Sequence, residues 1–118
     1  MHAQVHADTR IDSPDPGGPT LVVDTTFDGD ERVVGLAGEL DLATRNLALS
    51  ACTVGDHRSV VVDLAEVTFM DCGGYGAFVA ARKILEGRGS SFDLRHPAGQ
   101  PARLLALIAA LEVAVPIR

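Results

Sequence analysis

The sequence predicts a small α/β domain, a mixed β-sheet with its helices packed on one face, in the order β-β-α-β-α-β-α-β. Three observations carry that expectation. Two β-branched, apolar runs, Thr20 to Phe27 and Arg32 to Ala37, flank Asp28-Gly29-Asp30, whose Asp-Gly pair is a hairpin signal. Ser59 to Leu64 is a near-continuous apolar run, as a central strand covered on at least one face requires. Amphipathic segments then alternate with short apolar runs, and right-handed crossovers would gather the helices on one side of the sheet. A chain of 118 residues suffices for one domain with a single core.

Taken in order, residues 1–19 contain Pro14, Pro16, Gly17, Gly18 and Pro19 without periodicity, so a disordered lead-in is expected before a domain over 20–118. After the hairpin the chain reads Gly38-Glu39-Leu40-Asp41. Asp41 suits the N-cap of a helix over Leu42 to Cys52, because its carboxylate can accept from N–H groups left open in a first turn. Ala43, Leu47 and Ala51 give that helix one apolar face, and Gly55-Asp56 ends it. Beyond Leu64, Val67, Phe69 and Met70 lead into a polar elbow, Asp71-Cys72-Gly73-Gly74. A helix over Gly73 to Glu86 follows, with Phe78, Ala81 and Leu85 on one side, and Gly87 and Gly89 stop it. Ser91 to Arg95 is a short strand with Phe92 and Leu94 on one face. Pro101 suits the first position of a third helix marked by Leu104, Leu105, Ile108 and Leu111. Val113 to Ile117 reads as a last strand, which Pro116 confines to an edge or a strand end.

Composition excludes several classes. Apolar residues make up 47 % and charged residues 22 %, as in an ordinary soluble globular protein. The net charge of −6 argues against non-specific nucleic-acid binding, which needs a basic face. The N-terminus, MHAQVHADTR, lacks the basic stretch and apolar core of a signal peptide. The longest apolar run, Leu104 to Leu111, is far short of the roughly 20 residues of a membrane helix, so no direct membrane insertion is expected. Cys52 and Cys72 do not make a secreted disulfide framework. The expected location is cytoplasmic. His2 and His6 stand four apart with no third ligand nearby, which suits a solvated tail rather than a metal site. No cofactor is implied.

The functional signal concentrates in Val60 to Phe78, where a buried strand, a tight polar elbow and a helix N-terminus follow one another. Such an elbow holds a few side chains and several open backbone N–H groups in fixed positions. Gly74-x-Gly76 matches part of a dinucleotide fingerprint, but no third glycine follows and no acidic residue of a second βαβ unit is in place. The glycines instead permit a tight turn and close approach of another backbone. Asp63 and Asp71 are separated by a strand and half a loop, which suits strand-end and capping roles rather than paired acids.

Gly38-Glu39-Leu40-Asp41 with Thr44, followed by Val62-Asp63-Leu64-x-x-Val67-x-Phe69-Met70-Asp71 before a glycine-containing helix start, resembles the STAS domain. The resemblance covers roughly residues 20–117 and points in particular to the bacterial anti-sigma factor antagonists. It implies a non-enzymatic module that binds an anti-sigma factor, itself an ATP-dependent serine kinase, and so releases a sigma factor. It also implies that phosphorylation of a serine directly after the elbow aspartate switches binding off. A phosphate adds about −1.5 to −2 charges. At a helix N-terminus beside Asp41 and Asp71 that charge would repel a complementary partner.

The sequence departs from the pattern at that position. The usual Asp-Ser-Ser-Gly or Asp-Ser-Thr-Gly is replaced by Asp71-Cys72-Gly73-Gly74, so Cys72 holds the phospho-acceptor position and cannot be phosphorylated by a serine kinase. Thr68, three residues earlier, is expected in or near the strand. Three readings of Cys72 stay open: an inert small residue, a redox switch favoured by a helix N-terminus but opposed by nearby carboxylates, and a catalytic thiol needing His57 or His96 as base. A disulfide with Cys52 is not expected, since eleven helical residues separate the thiols by roughly 15 Å.

The expected docking face is Asp71, Cys72, Gly73, Gly74 and Tyr75 together with Asp41, Leu42 and Thr44. Tyr75 reads equally as an interface anchor and as core. A STAS accessory subunit of a membrane lipid-transport complex and a redox-responsive STAS module are the rival readings. Many STAS proteins have a further helix after the last strand, whereas this sequence stops at Arg118. Either a sheet edge is left partly uncovered, which would favour a homodimer, or the last strand is short.

Overall fold

The sheet begins with a hairpin. In the computed structural model, which describes residues 21–111 and 114–118, β1 (Leu21–Asp28) pairs antiparallel with β2 (Glu31–Leu40). Asp28 stands opposite Glu31, and Gly29, with φ 64°, takes the first of the two turn positions, where a side chain would be strained. β3 (Ser59–Met70) runs parallel to β2, and β4 (Ser91–Arg95) parallel to β3, in the sheet order β1-β2-β3-β4. Helices α1 (Arg45–Thr53) and α2 (Cys72–Gly87) make the two crossovers, and α3 (Gly99–Ile108) follows β4. The expected lead-in and Val113 lie outside the described residues.

One apolar cluster joins the layers. Alternate strand residues (Leu21, Val23, Val34, Leu36, Val60, Val62, Leu64, Phe92 and Leu94) meet Ala48, Ala51 and Cys52 of α1, Ala77, Phe78, Ala81 and Leu85 of α2, and Leu105 and Ile108 of α3. The period of two along the strands and the single helical faces are what place all three helices on one side. Each large side chain buried there contributes roughly 1.5–3 kcal/mol. The small residues of α1 and α2 let the helices lie close to the sheet.

Two arginines close the C-terminal end of α1. Arg32 is buried at the start of β2 and donates to the Ala51 carbonyl, and Arg88 donates to the Thr53 carbonyl at 2.7 Å. Both satisfy acceptors that a helix end leaves open. Burial lowers the pKa of Arg32. Burial also pushes the Cys52 thiol up to about 12, with the charge of Arg32 pulling weakly the other way.

Several boundaries differ from those expected. β3 continues through Val67 and Phe69 to Met70, because its second half still has β2 beside it. α1 starts at Arg45 rather than Leu42, because Asp41 to Thr44 form a hydrogen-bonded turn first. α2 starts one residue early, at Cys72, and α3 starts at Gly99, so Pro101 is its third residue.

The last strand is the main correction: among the described residues the order is β-β-α-β-α-β-α, and only a single parallel bridge, Leu94 to Ile117, stands in place of the eighth element. The physical reason is partly local and partly tertiary. Pro116 has no N–H to give a ladder, and the Val115 N–H goes to the Tyr75 hydroxyl at 2.7 Å. The segment is held by Leu94 N–H to Pro116 O (2.9 Å), Arg118 N–H to Leu94 O (2.8 Å), and the Arg118 guanidinium bound to Glu31 and Asp93.

Those contacts set a pH dependence. The Arg118 hydrogen bonds hold the Glu31 carboxyl down to about 2 from 4.5, against the opposing effect of burial, with Ser59 adding a further donor. A depressed carboxyl stabilises the fold above its unfolded value, and that contribution disappears as pH falls from 4.5 towards 2. Glu31→Gln is therefore expected to lower the melting temperature at neutral pH, with the difference from wild type closing across that acid window. Thermal melts as a function of pH check this; a constant difference at all pH values contradicts it.

Candidate docking site at the elbow after β3

The site is built by register. Leu40 and Met70 are partners in parallel strands, so Asp41 and Asp71 leave the same end of the sheet side by side. The Asp71 N–H donates to the Leu40 carbonyl at 3.2 Å and ties the two exits together. Each aspartate then organises the turn after it. Asp41 Oδ1 accepts from the N–H groups of Ala43 (3.0 Å) and Thr44 (3.2 Å), and Asp71 Oδ1 accepts from the Gly74 N–H at 2.7 Å as the N-cap of α2. Asp71 thereby satisfies an open donor of the α2 start, worth about 1 kcal/mol. Asp41, expected as the N-cap of α1, instead holds the turn before it, and Thr44 takes the N-cap position.

Thr44 belongs to the framework rather than to the surface. It is buried, its hydroxyl donates to Glu39 O at 2.9 Å, and its oxygen accepts from the Asp41 N–H at 3.0 Å. Tyr75 is likewise core: it is 4 % exposed, its ring meets Phe78 edge-on, and its hydroxyl accepts the Val115 N–H. The exposed part of the elbow is Cys72, the first residue of α2, with Leu42 at 72 % exposure beside Gly73; Phe69, 43 % exposed, lies in β3 just before it. Cys72 also opens onto an apolar groove of about 440 Å³ between α2 and the end of α3, lined by Gly76, Val79, Ala80, Ile108 and Leu111.

The two elbow glycines have different jobs. A Cβ on Gly74 would stand 2.1 Å from the Leu40 carbonyl oxygen, so only glycine lets α2 start this close to β2. A Cβ on Gly73 would meet Leu42 Cβ and Asp71 Oδ1 at 3.3 Å, a tight fit that asks for a shift of a few tenths of an ångström but no overlap with backbone. Thr68 lies in β3 and donates to Gly38 O at 3.2 Å.

Two site residues escaped sequence reasoning. Gln100, in the first turn of α3, accepts from the Met70 N–H at 2.8 Å and donates to the Met70 carbonyl at 2.7 Å, pinning the end of β3. Arg45, first residue of α1, lays its guanidinium over Gly76, with Nη2 3.5 Å from where a Cβ would be. It brings a positive group to an otherwise acidic rim. The side-chain-free face at Gly76 was the available signal, but it needs the α1–α2 packing to be read.

Neither described histidine lies at the elbow. His57 packs on Phe27 with ring centroids 5.3 Å apart at the hairpin end of the sheet, and His96 Nδ1 lies 3.3 Å from Asp63 on the opposite face. This removes the support for a catalytic thiol at Cys72. Asp63 and Asp71 are not paired; one sits within β3, the other caps α2. Cys52 is buried and Cys72 exposed, and both are free thiols. Among the described residues, no group of three or more His, Cys, Asp or Glu is placed to hold a metal ion, and no helix is long and apolar enough to cross a membrane. His2 and His6 lie outside the described residues.

A mixed sheet covered by helices on one face, with a capped elbow at the carboxyl end of adjacent parallel strands, defines a small α/β module. The family model described as "Mlab, STAS domain" matches residues 23–113, and the chain belongs to the STAS domain family. Among solved structures the chain is similar to an anti-sigma factor antagonist from Mycobacterium paratuberculosis, at 21 % identity and TM-score 0.67, over 91 % of this chain and 89 % of that one. It is also similar to a putative anti-sigma factor antagonist from Thermotoga maritima (24 % identity, TM-score 0.62, 79 % and 82 % covered). The anti-sigma factor antagonist SpoIIAA in its unphosphorylated form gives 19 % identity and TM-score 0.60, with 81 % and 87 % covered. At these identities the likeness is one of fold.

Gly74→Ala is expected to cost roughly 3 kcal/mol or more, at or beyond the upper end of overpacking effects, because the clash is with backbone. Gly73→Ala is expected to change stability by less than about 1 kcal/mol. Denaturant unfolding of both variants tests the contrast; equal effects would show that the approach of α2 to Leu40 is not constrained as described.

Proposed function

We propose that this protein is an anti-sigma factor antagonist: it docks an anti-sigma factor at the elbow and so frees a sigma factor, with its usual phospho-switch absent. The observation that carries the reading is Cys72, exposed at the first position of α2 directly after the capping Asp71, the place where this class of STAS domain accepts phosphate. The partner is a serine-kinase-like anti-sigma factor carrying its own ATP and Mg²⁺. Asp41, Asp71, Cys72 and Gly73 form the polar part of the docking face, and Leu42 and Phe69 supply apolar contact. Gly74, Thr44 and Tyr75 act beneath it by fixing its shape. In this reading the protein works in the cytoplasm alongside the sigma factor it frees, and it performs no catalysis.

Phosphate at this position would bring about two negative charges next to Asp41 and Asp71. A thiol brings none to a serine kinase, so the docking face stays available regardless of kinase activity. Co-purification with candidate anti-sigma factors is expected to succeed with wild type, and capture of none of them, with or without reductant, sinks the proposal. Cys72→Ser is expected to take up phosphate from a cognate kinase and then lose binding, whereas the wild type takes up none. Label on wild-type Thr44 or Thr68 contradicts this.

The same residue favours a second reading, a STAS accessory subunit of a membrane lipid-transport complex, since such subunits often lack the phospho-serine. Co-purification with an ATPase and permease instead of an anti-sigma factor distinguishes it. The redox reading of Cys72 rests on its exposure at a helix N-terminus. Alkylation rate against pH tests that one, because a thiol titrating at or above its free value near 8.5 removes the premise.

A further inference from the structure

The outer side of α2 is built as a wall. Cys72, Gly76, Val79 and Lys83 follow at spacings of four, three and four, with Ala80 beside them, so they share one side of the helix. A helix side open to water is ordinarily polar along its length, whereas only Lys83 is charged here. Ile108 and Leu111, at the end of α3, form the opposite wall of the groove of about 440 Å³. Val79 is half-buried and Leu111 is 57 % exposed, so apolar surface on both walls stays open.

The shape of the groove narrows the choice of occupant. From Cys72 to Lys83 the wall is about 16 Å long at the helical rise. A volume of about 440 Å³ over about 16 Å is a trough about 27 Å² in section, which a helix about 10–12 Å across cannot enter. An extended peptide would bring N–H and C=O groups against walls that supply no partners for them. Tyr75 carries the one hydroxyl of the lining, and it already accepts the Val115 N–H. A hydrocarbon chain has no such groups to satisfy. One leaflet of a bilayer, half of a core about 30 Å thick, corresponds to a chain of about 15 Å, the length of this trough. The two ends differ in charge. Lys83 is exposed and makes no ion pair among the described residues, and its neighbour Glu86 is held by Arg82 at 2.9 Å. A lysine so placed lays its methylenes along apolar surface and keeps its ammonium in water. At the Cys72 end Asp41 and Asp71 outnumber Arg45, which disfavours an anion there.

We propose that the groove binds a free fatty acid, its hydrocarbon chain lying along α2 with the carboxylate at Lys83 and the methyl end toward Cys72. The chain replaces water against Val79, Ala80, Ile108 and Leu111, and each methylene covered adds to the affinity. The carboxylate stays at the open rim, where pairing with an exposed ammonium contributes little to affinity and sets the direction in which the chain lies. A small number of polar groups that orient a ligand in a mostly apolar site is the usual division of labour in such pockets. The proposal rests on the groove alone and holds under either functional reading given above.

The test is a titration of the full-length, ¹⁵N-labelled chain with sodium dodecanoate below its micelle concentration, followed by amide shifts, with octanoate, decanoate and dodecyltrimethylammonium in parallel. Saturable shifts at Gly76, Val79, Ala80 and Leu111 are expected, with a Kd on the order of 10–100 μM. Each pair of methylenes added is expected to tighten binding roughly tenfold. Ala80→Leu, which fills the trough from a half-buried position, is expected to weaken dodecanoate binding about tenfold. Lys83→Gln is expected to weaken dodecanoate about threefold without weakening dodecyltrimethylammonium, and Lys83→Arg to keep the wild-type preference. The proposal is overturned by the absence of saturable shifts at these amides up to about 1 mM dodecanoate, by a Kd independent of chain length, or by an unchanged Kd in both Ala80→Leu and Lys83→Gln. Co-sedimentation with phosphatidylglycerol vesicles without binding of monomeric dodecanoate overturns it in favour of a membrane surface. The chain-length series on wild type needs no variant to fold.

Discussion

The close approach of the first turn of α2 to the end of β2 is the constraint on which the working end of this protein depends. Gly74 sits where a Cβ would overlap the Leu40 carbonyl, the Asp71 N–H bonds that same carbonyl, and Asp71 caps the turn from the other side. Gln100 then grips both backbone groups of Met70 from α3. The elbow is thus fixed from β2, from α2 and from α3 at once, so the thiol of Cys72 is carried on backbone with little freedom to shift. A surface held in this way is preorganised, which lowers the ordering cost of any contact made there.

Its electrostatics follow from the same geometry. Parallel register brings Asp41 and Asp71 to one rim, and each carboxylate is engaged with N–H groups of its own turn. Arg45 reaches over Gly76 from the neighbouring helix, so the rim is acidic with one positive group beside it. A phosphate on the first residue of α2 would enter a field of mixed sign, favoured by the helix start and Arg45 and opposed by the two aspartates. With Cys72 in that place a serine kinase finds no hydroxyl to modify.

Much of the fold was legible because it rests on local patterns. The Asp28-Gly29-Asp30 turn, the apolar alternation of the strands and the single apolar faces of the helices each depend on neighbours a few residues away. The last strand was misread because its β-branched residues satisfy the pattern while the decisive competitor, the Tyr75 hydroxyl that takes the Val115 N–H, lies 40 residues away. Within the site, Asp71 could be read as a cap from its place before glycines and a helix. Thr44 belongs to the expected docking face by its place in the motif, whereas the structure buries it; its partners, Glu39 O and the Asp41 N–H, are supplied by the folding-back of the turn.

The sequence by itself determined the α/β class, the element order through α3, and the Asp71-Cys72-Gly73-Gly74 elbow with no hydroxyl residue after its aspartate. These follow from residue type and spacing, which no packing can change. The tertiary structure decided which elbow residues are surface and which are framework. It buried Tyr75 and Thr44, left Leu42, Phe69 and Cys72 exposed, and brought Arg45 and Gln100 to the elbow. Those outcomes depend on strand register and helix approach, distances set between segments far apart in the chain.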